Sequence, residues 1–361
     1  NVPEGGLWME ADSKVYGRTN NPWNHKRSPG GSSGGEGAIV AAGGSPLGLG
    51  ADIGGSIRIP AAFCGLVGHK PSGRLVPTTG HFPSPEETLL PALCLGPMVR
   101  RVEDLWPALT VLAGPDGRCP VAREFSLGHP DQVRMDELVV YRLDAGSRPR
   151  LRKPMREALD KSFAALEERG AKIDTIEVPE LRHGVEMWAA FLEEGTTGGY
   201  AELLSPDRPM NPWWELLKLP FGQSRHTLPA LLMVAAEGLT KLAPGRTKQM
   251  LERFATLKER LHTRLGDNGV FLFAPYTRPA PRHRMALVTP YDAACTCTFN
   301  PLEFPGTVLP VGFADDGLPV SVQIGALPGN DRLTIAVAGE LEKAFGGWTC
   351  APPALKASPT A

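Results

Sequence analysis

No run of about 18 uninterrupted apolar residues occurs in this sequence, so no segment reads as a transmembrane helix. Neither sign of charge is in excess. Lys plus Arg number 38 and Asp plus Glu 39, a net charge of −1 that offers no electrostatic footprint for nucleic acid. Cysteine is scarce, with six in 361 residues, which excludes a disulfide framework. Cys295-Thr296-Cys297 is a lone C-x-C with no second pair or histidine cluster near it, so a zinc site is not expected. Reduced thiols make a cytosol-facing chain the default. There is no internal repeat and no low-complexity tract. What the chain does have is glycine (41) and proline (36), beside 42% hydrophobic residues, enough for a sizeable core. That balance favours a loop-rich α/β domain over a helical bundle.

The most informative stretch runs from Gly30 to Pro60, GGSSGGEGAIVAAGGSPLGLGADIGGSIRIP. It holds two glycine-flanked serine clusters, one at Ser32-Ser33 and one at Ser56. A serine hydroxyl is a poor nucleophile until a neighbour takes its proton. Acyl transfer also needs backbone N–H groups aimed at a developing oxyanion. Glycines serve both needs, since they permit unusual backbone angles and close approach of substrate. Taken singly, GGSSGG reads as a flexible loop and GGS as a turn, and a glycine-rich loop can also cradle phosphate. No GxxxxGK[ST] accompanies either cluster. Asp52 and Arg58 bracket the second cluster, and the apolar PAAFCGLVGHKPS follows it. Together these favour a built site. A buried Arg58 is expected to pair with Asp52.

The block GGSSGGEGA, GLGADIGGSIRIPAAFCGLVGHKPS resembles the signature of the amidase signature family of serine hydrolases. Within that family the variant, with Glu36 after the glycines, is most similar to the fatty-acid amide hydrolases. KVYGRTNNPWN and NDRLTIAVAGELEKAFGGW extend the likeness over nearly the whole chain, most weakly from about residue 117 to 209. The resemblance implies an amidase signature fold, a central mixed β-sheet covered by helices on both faces. It implies that Ser56 is the nucleophile and that Ser32, after a cis peptide bond, relays its proton. Ile53, Gly54, Gly55 and Ser56 correspond to the oxyanion-hole backbone, and Ser33, Asp52 and Arg58 to supporting positions. The base of such a triad is a lysine in its own upstream strand motif. Nothing before Ser32 matches it, Lys14 and Lys26 being loop residues. The chain opens Asn1-Val2-Pro3 inside a stretch resembling the family's interior, so the expectation is that the N-terminal part, with the lysine, is missing.

In chain order, residues 1–27 read as a helix entry and a loop, Glu36 to Ala42 as a helix and Ser45 to Gly50 as a short buried strand. Ser56 to Gly65 suits a helix with Pro60 tolerated in its first turn. Gly68-His69-Lys70-Pro71 invites suspicion of a substitute base, but a structural turn with a satisfied histidine is the stronger reading. Further on come strands at Leu138 to Leu143 and Ala171 to Val178, around a helix from Pro154 to Gly170 with Met155, Leu159, Phe163 and Leu166 on one face. Arg246 to Leu265 is a long amphipathic helix, Val270 to Ala274 a buried strand and Leu318 to Ile324 an alternating strand. Asp331 to Phe345 is a last helix.

The segment 212–242 is different. Trp213, Trp214, Leu217 and Phe221 stand among prolines and glycines that break it into short helices. One reading is an internal hairpin covering the sheet. The other is an interfacial cap that lies on a membrane and admits lipid, with Lys218, Arg225, His226 and Lys241 at headgroup level. The family resemblance favours the second.

The expectation is therefore one amidase domain over residues 1–349, with its signature at 28–72, a cap at 212–242 and a flexible tail at 350–361. The expected substrates, by resemblance, are fatty-acid amides. No metal and no organic cofactor is implied. Expected partners are a membrane or lipid-droplet surface and a second copy in a homodimer, with no nucleic acid. The expected setting is membrane-associated and cytosol-facing, at the endoplasmic reticulum or lipid droplets. The alternatives are a catalytically impaired fragment that binds lipid or a partner, an amidotransferase-type subunit whose substrate is a non-lipid amide, and a phosphate-binding loop.

Overall fold

A computed structural model of the chain describes residues 1–146, 148–208, 210–240 and 244–352. Its strands are β1 (Asp12–Ser13), β2 (Gly17–Arg18), β3 (Leu47–Asp52), β4 (Val67–Lys70), β5 (Cys94–Val99), β6 (Val139–Asp144), β7 (Lys172–Glu177), β8 (Gly269–Phe273), β9 (Gly306–Phe313) and β10 (Pro319–Ala326). The first two form a small ribbon, and the rest form one sheet in the order β3-β5-β4-β9-β10-β8-β6-β7. Pairing is antiparallel from β3 across to β8, while β6 is parallel to both β8 and β7. The sheet is therefore mixed.

Helices cover both of its faces. They are α1 (Gly34–Ala41), α2 (Arg58–Cys64), α3 (Leu105–Leu112), α4 (Lys153–Glu167), α5 (Gly184–Glu194), α6 (Tyr200–Leu204), α7 (Pro212–Lys218), α8 (Leu228–Thr240), α9 (Pro244–Leu265), α10 (Ala294–Cys297) and α11 (Asp331–Phe345). Successive strand residues point to opposite faces. Accordingly Val270 and Leu272 of β8 enter a core with Met155, Leu159, Phe163 and Leu166 of α4 and Leu333, Val337 and Leu341 of α11. Phe271 and Phe273 enter the opposite core, against Leu257, Leu261 and Leu265 of α9 and Met187 of α5. Further along that second face, Val308 and Met98 pack on Val40 of α1 and on Ile59 and Phe63 of α2. Each such side chain contributes about 1.5–3 kcal/mol by leaving water.

Four expectations change. The strand near Ser45 is β3, at the sheet edge, and Leu47 and Leu49 are exposed while Gly48, Gly50 and Asp52 are buried. The strand near Leu318, expected to alternate, does not alternate in burial. Every residue of β10 is buried, because helices lie over both faces of a central strand. Residues 1–27 form only a 3-10 turn at Glu4–Gly6 and the ribbon, as their breakers dictate. Gly68-His69-Lys70 is not a turn but part of β4, hydrogen-bonded between β5 and β9. Of the expected tail, Ala351 is buried and 353–361 lie outside the described residues, as does Lys241 of the cap. Among the described residues no helix is long and apolar enough to cross a membrane.

Candidate active site

Asp52 ends β3, the loop 53–57 follows, and α2 begins at Arg58 with Pro60 in its first turn. The loop needs glycine at position 55. Gly55 has φ +123°, a region that side chains disfavour, and a Cβ there would collide with the Thr296 hydroxyl.

Beneath the loop lies a buried polar cluster. Arg58 donates from Nη2 to Asp52 Oδ1 at 3.0 Å and from Nε to Oδ2 at 3.0 Å, and both residues are essentially without solvent exposure. Arg58 also reaches Asn300 Oδ1 at 2.5 Å and Gln323 Oε1 at 3.3 Å. Asn300 Nδ2 donates to the Asp52 carbonyl and carboxylate, each at 2.9 Å. Asp52 further accepts the N–H of Gly55 at 2.7 Å and of Ile57 at 3.1 Å. Burial by itself raises the Asp52 pKa, but the Arg58 guanidinium outweighs it and holds the carboxyl well below its ordinary value. The expected Asp52–Arg58 partnership is therefore present. Its lone pairs and protons are largely spent on fixing the loop.

The two serine clusters meet. The Ser33 N–H donates to the Ser56 carbonyl at 3.3 Å. The Ser33 hydroxyl accepts the Ala51 N–H at 3.2 Å and lies 3.4 Å from the Ala51 carbonyl, tying the first cluster to the end of β3. The Gly31–Ser32 peptide bond is cis. Ser32 is buried and Ser56 half-buried, and among the described residues no hydrogen bond joins their hydroxyls. Catalytic hydrogen bonds are often long without substrate and tighten when it binds.

The N–H groups of Ile53, Gly54 and Ser56 have no acceptor among the described residues. The Gly55 N–H donates to Asp52 Oδ1 at 2.7 Å.

Among the described residues no hydrogen bond joins Lys14, Lys26 or Lys70 to Ser32 or Ser56. Lys14 Nζ donates to the Ser224 carbonyl, and Lys26 is exposed. Lys70 is fully buried and donates to the Pro71 carbonyl at 2.9 Å and to Cys94 Sγ at 3.3 Å. His69 is a satisfied core histidine, its Nδ1 2.9 Å from Thr307 Oγ1 and its Nε2 3.1 Å from Asp331 Oδ1.

Two residues that touch the loop were not legible in the sequence. Trp188 of α5 donates from Nε1 to the Ile53 carbonyl at 2.8 Å, and its ring lies 3.0 Å from where a Gly54 Cβ would stand. Thr296 of α10 brings its hydroxyl to 3.0 Å from the Gly54 carbonyl. Trp188 falls where the family likeness is weakest. Thr296 sits inside the C-x-C that drew attention only for its cysteines.

The cap residues do not cover the sheet. Trp213, Trp214, Leu217 and Phe221 are 66%, 59%, 65% and 76% exposed, whereas Leu231 and Val234 of α8 turn inward. Asn211 caps α7 by accepting the Trp213 and Trp214 N–H groups. Glu215 holds the following turn through Lys218 at 2.7 Å, Ser224 at 3.0 Å and the Arg225 N–H at 2.9 Å.

Residues 1–335 match the family model described as Amidase. The chain is 36% identical to fatty-acid amide hydrolase 2 of Homo sapiens, over 97% of this chain and 66% of that protein. It is 32% identical to the acylamidase of Rhodococcus erythropolis, over 98% of this chain and 72% of that one. The chain thus spans about two thirds of the length of the curated relatives it matches most strongly. In fold it resembles 6-aminohexanoate cyclic dimer hydrolase, with a TM-score of 0.78 at 24% identity, covering 98% of this chain and 75% of that one.

Proposed function

This chain belongs to the amidase signature family, and from that premise we propose that it is a serine hydrolase of fatty-acid amides. The observation that carries the reading is the Ser33 N–H to Ser56 carbonyl bond at 3.3 Å. It sets the Ser32 cluster beside a loop with unengaged N–H groups, which is what acyl transfer through serine requires. Ser56 Oγ attacks the amide carbonyl carbon as its proton passes toward Ser32. The oxyanion lies against the N–H groups of the loop. The tetrahedral adduct then collapses, the C–N bond breaks, and the relayed proton leaves with the amine. Water attacks the acyl-enzyme, releasing the fatty acid and restoring the serine. The resemblance assigns the base in this relay to a lysine, and Lys14, Lys26 and Lys70 do not match it.

Primary fatty amides and N-acylethanolamines are the proposed substrates. The likeness to fatty-acid amide hydrolase 2 supports this, as does the exposed apolar group around Trp213, which suits the surface of a membrane or lipid droplet. A second reading keeps the fold but drops turnover, with the chain binding lipid or a partner. It is favoured by the exposed Trp213, Trp214 and Phe221, which could dock on lipid without turnover.

Labelling by a fluorophosphonate probe separates the two. The first reading expects labelling of the wild-type chain that Ser56→Ala abolishes, and labelling that survives Ser56→Ala refutes Ser56 as nucleophile. No labelling even when the lysine-bearing segment that the resemblance expects is supplied supports binding without turnover. Oleamide, glutamine and short-chain amides offered in parallel test the substrate class, and preference for glutamine would overturn the lipid assignment.

A further inference from the structure

The loop before Ser56 contains two peptide units whose orientation decides where its donors point. Each unit is planar, and neither is among the cis bonds of the structure, so its C=O and N–H point in opposite directions. Holding one end of a unit aims the other.

The Gly54–Gly55 unit is held at both ends. Its carbonyl lies 3.0 Å from the Thr296 hydroxyl, and its N–H donates to Asp52 Oδ1 at 2.7 Å. The Ile53–Gly54 unit is held at one end only. Its carbonyl accepts Trp188 Nε1–H at 2.8 Å, which is the only bond to that carbonyl among the described residues. Its other end, the Gly54 N–H, has no acceptor among them. A glycine-flanked unit held by nothing would rotate with little resistance. Once turned over, it would present a carbonyl oxygen where a donor is needed.

We infer that Trp188 is a positioning residue: by fixing the Ile53 carbonyl it aims the Gly54 N–H at the oxyanion that forms beside Ser56. The ring adds a second restraint. It lies against the α-carbon side of Gly54, 3.0 Å from the place a Cβ would take, so the loop cannot swing toward α5. The inference rests on the acyl-transfer reading above. It assigns a role in that chemistry to a side chain 135 positions downstream of the carbonyl it holds. Trp188 itself need not touch substrate.

Trp188→Phe keeps a ring and removes the donor. With an amide or activated ester substrate, kcat is expected to fall about ten- to a hundredfold, less than the loss from deleting an oxyanion donor outright, while KM stays within about twofold. An unchanged kcat overturns the inference. So does a raised KM with kcat intact, which would make Trp188 a wall of the acyl site. A second readout needs no turnover. In 15N-glycine spectra of the full chain, Trp188→Phe should shift or broaden the Gly54 amide and leave Gly55 in place, since Asp52 and Thr296 still hold it. A Gly54 amide that does not move refutes the inference. If labelling at Ser56 fails even with the lysine-bearing segment supplied, the hydrolase reading falls and this spectrum alone decides the positioning of Gly54.

Discussion

Asp52 and Arg58 face each other across the base of the Ser56 loop, with Asp52 Oδ1 3.0 Å from Arg58 Nη2 and neither side chain reaching solvent. The same carboxylate accepts the Gly55 and Ile57 N–H groups, so one ion pair fixes both the start of α2 and the turn before it. Asp52→Asn leaves a guanidinium buried with its charge uncompensated. Breaking a buried pair from one side costs about 3–5 kcal/mol. We expect a loss of that size in urea unfolding, together with lost probe labelling. A change under about 1 kcal/mol would show that Asn300 and Gln323 suffice to hold Arg58.

Acid should unfold the chain through two aspartates. Asp52 and Asp331 are both buried, which on its own raises a carboxyl pKa. Arg58 outweighs burial at Asp52, and His69 with Ser72 does so at Asp331, so both are depressed below 3.8. A depressed folded pKa contributes stability that is present above the unfolded value and is lost as pH falls through the folded one. The unfolding midpoint is expected to be flat with respect to these two groups above about pH 5 and to drop below about pH 4. Asp331→Asn should shallow that drop. An unchanged slope would remove Asp331 from the account.

Gly55→Ala places a methyl group in the Thr296 hydroxyl and a side chain at φ +123°. Backbone strain of this kind costs about 1–3 kcal/mol. Relief requires the loop to shift away from Thr296 and Ile59. We expect lower stability by calorimetry and a larger proportional loss of acylation rate. Full activity in the variant would mean that the loop is not held at this point.

The exposed aromatic pair on α7 predicts binding to a lipid surface. Trp213→Ala with Trp214→Ala removes two apolar side chains, each worth about 1.5 kcal/mol when buried. Partitioning onto phosphatidylcholine vesicles in a sedimentation assay should weaken by about a hundredfold, with the unfolding midpoint nearly unchanged because both rings stand in solvent. Equal partitioning of variant and wild type would exclude the cap as a docking face.

Much of this molecule could be read from the chain alone, wherever the cause is local. The helix Asp331–Phe345 falls where the spacing of Leu333, Val337 and Leu341 puts it, and α2 starts where Pro60 can be tolerated. The pairing of Asp52 with Arg58 followed from two charges six positions apart in a glycine-rich stretch. The family likeness of the two serine clusters was legible because their glycines and charges lie close together in sequence.

Other features were decided only when the sheet closed. Which strand lies at an edge cannot be known from its own residues, so β3 read as buried and β10 as alternating until their neighbours were in place. Asn300, Thr296 and Trp188 come to Asp52, Gly54 and Ile53 from more than a hundred residues away. Nothing periodic in a chain announces such a meeting. Local sequence determined that two serine loops would form. Long-range packing decided which way their peptide units face, because a glycine-rich loop has no preference of its own and takes the orientation its distant hydrogen-bond partners impose.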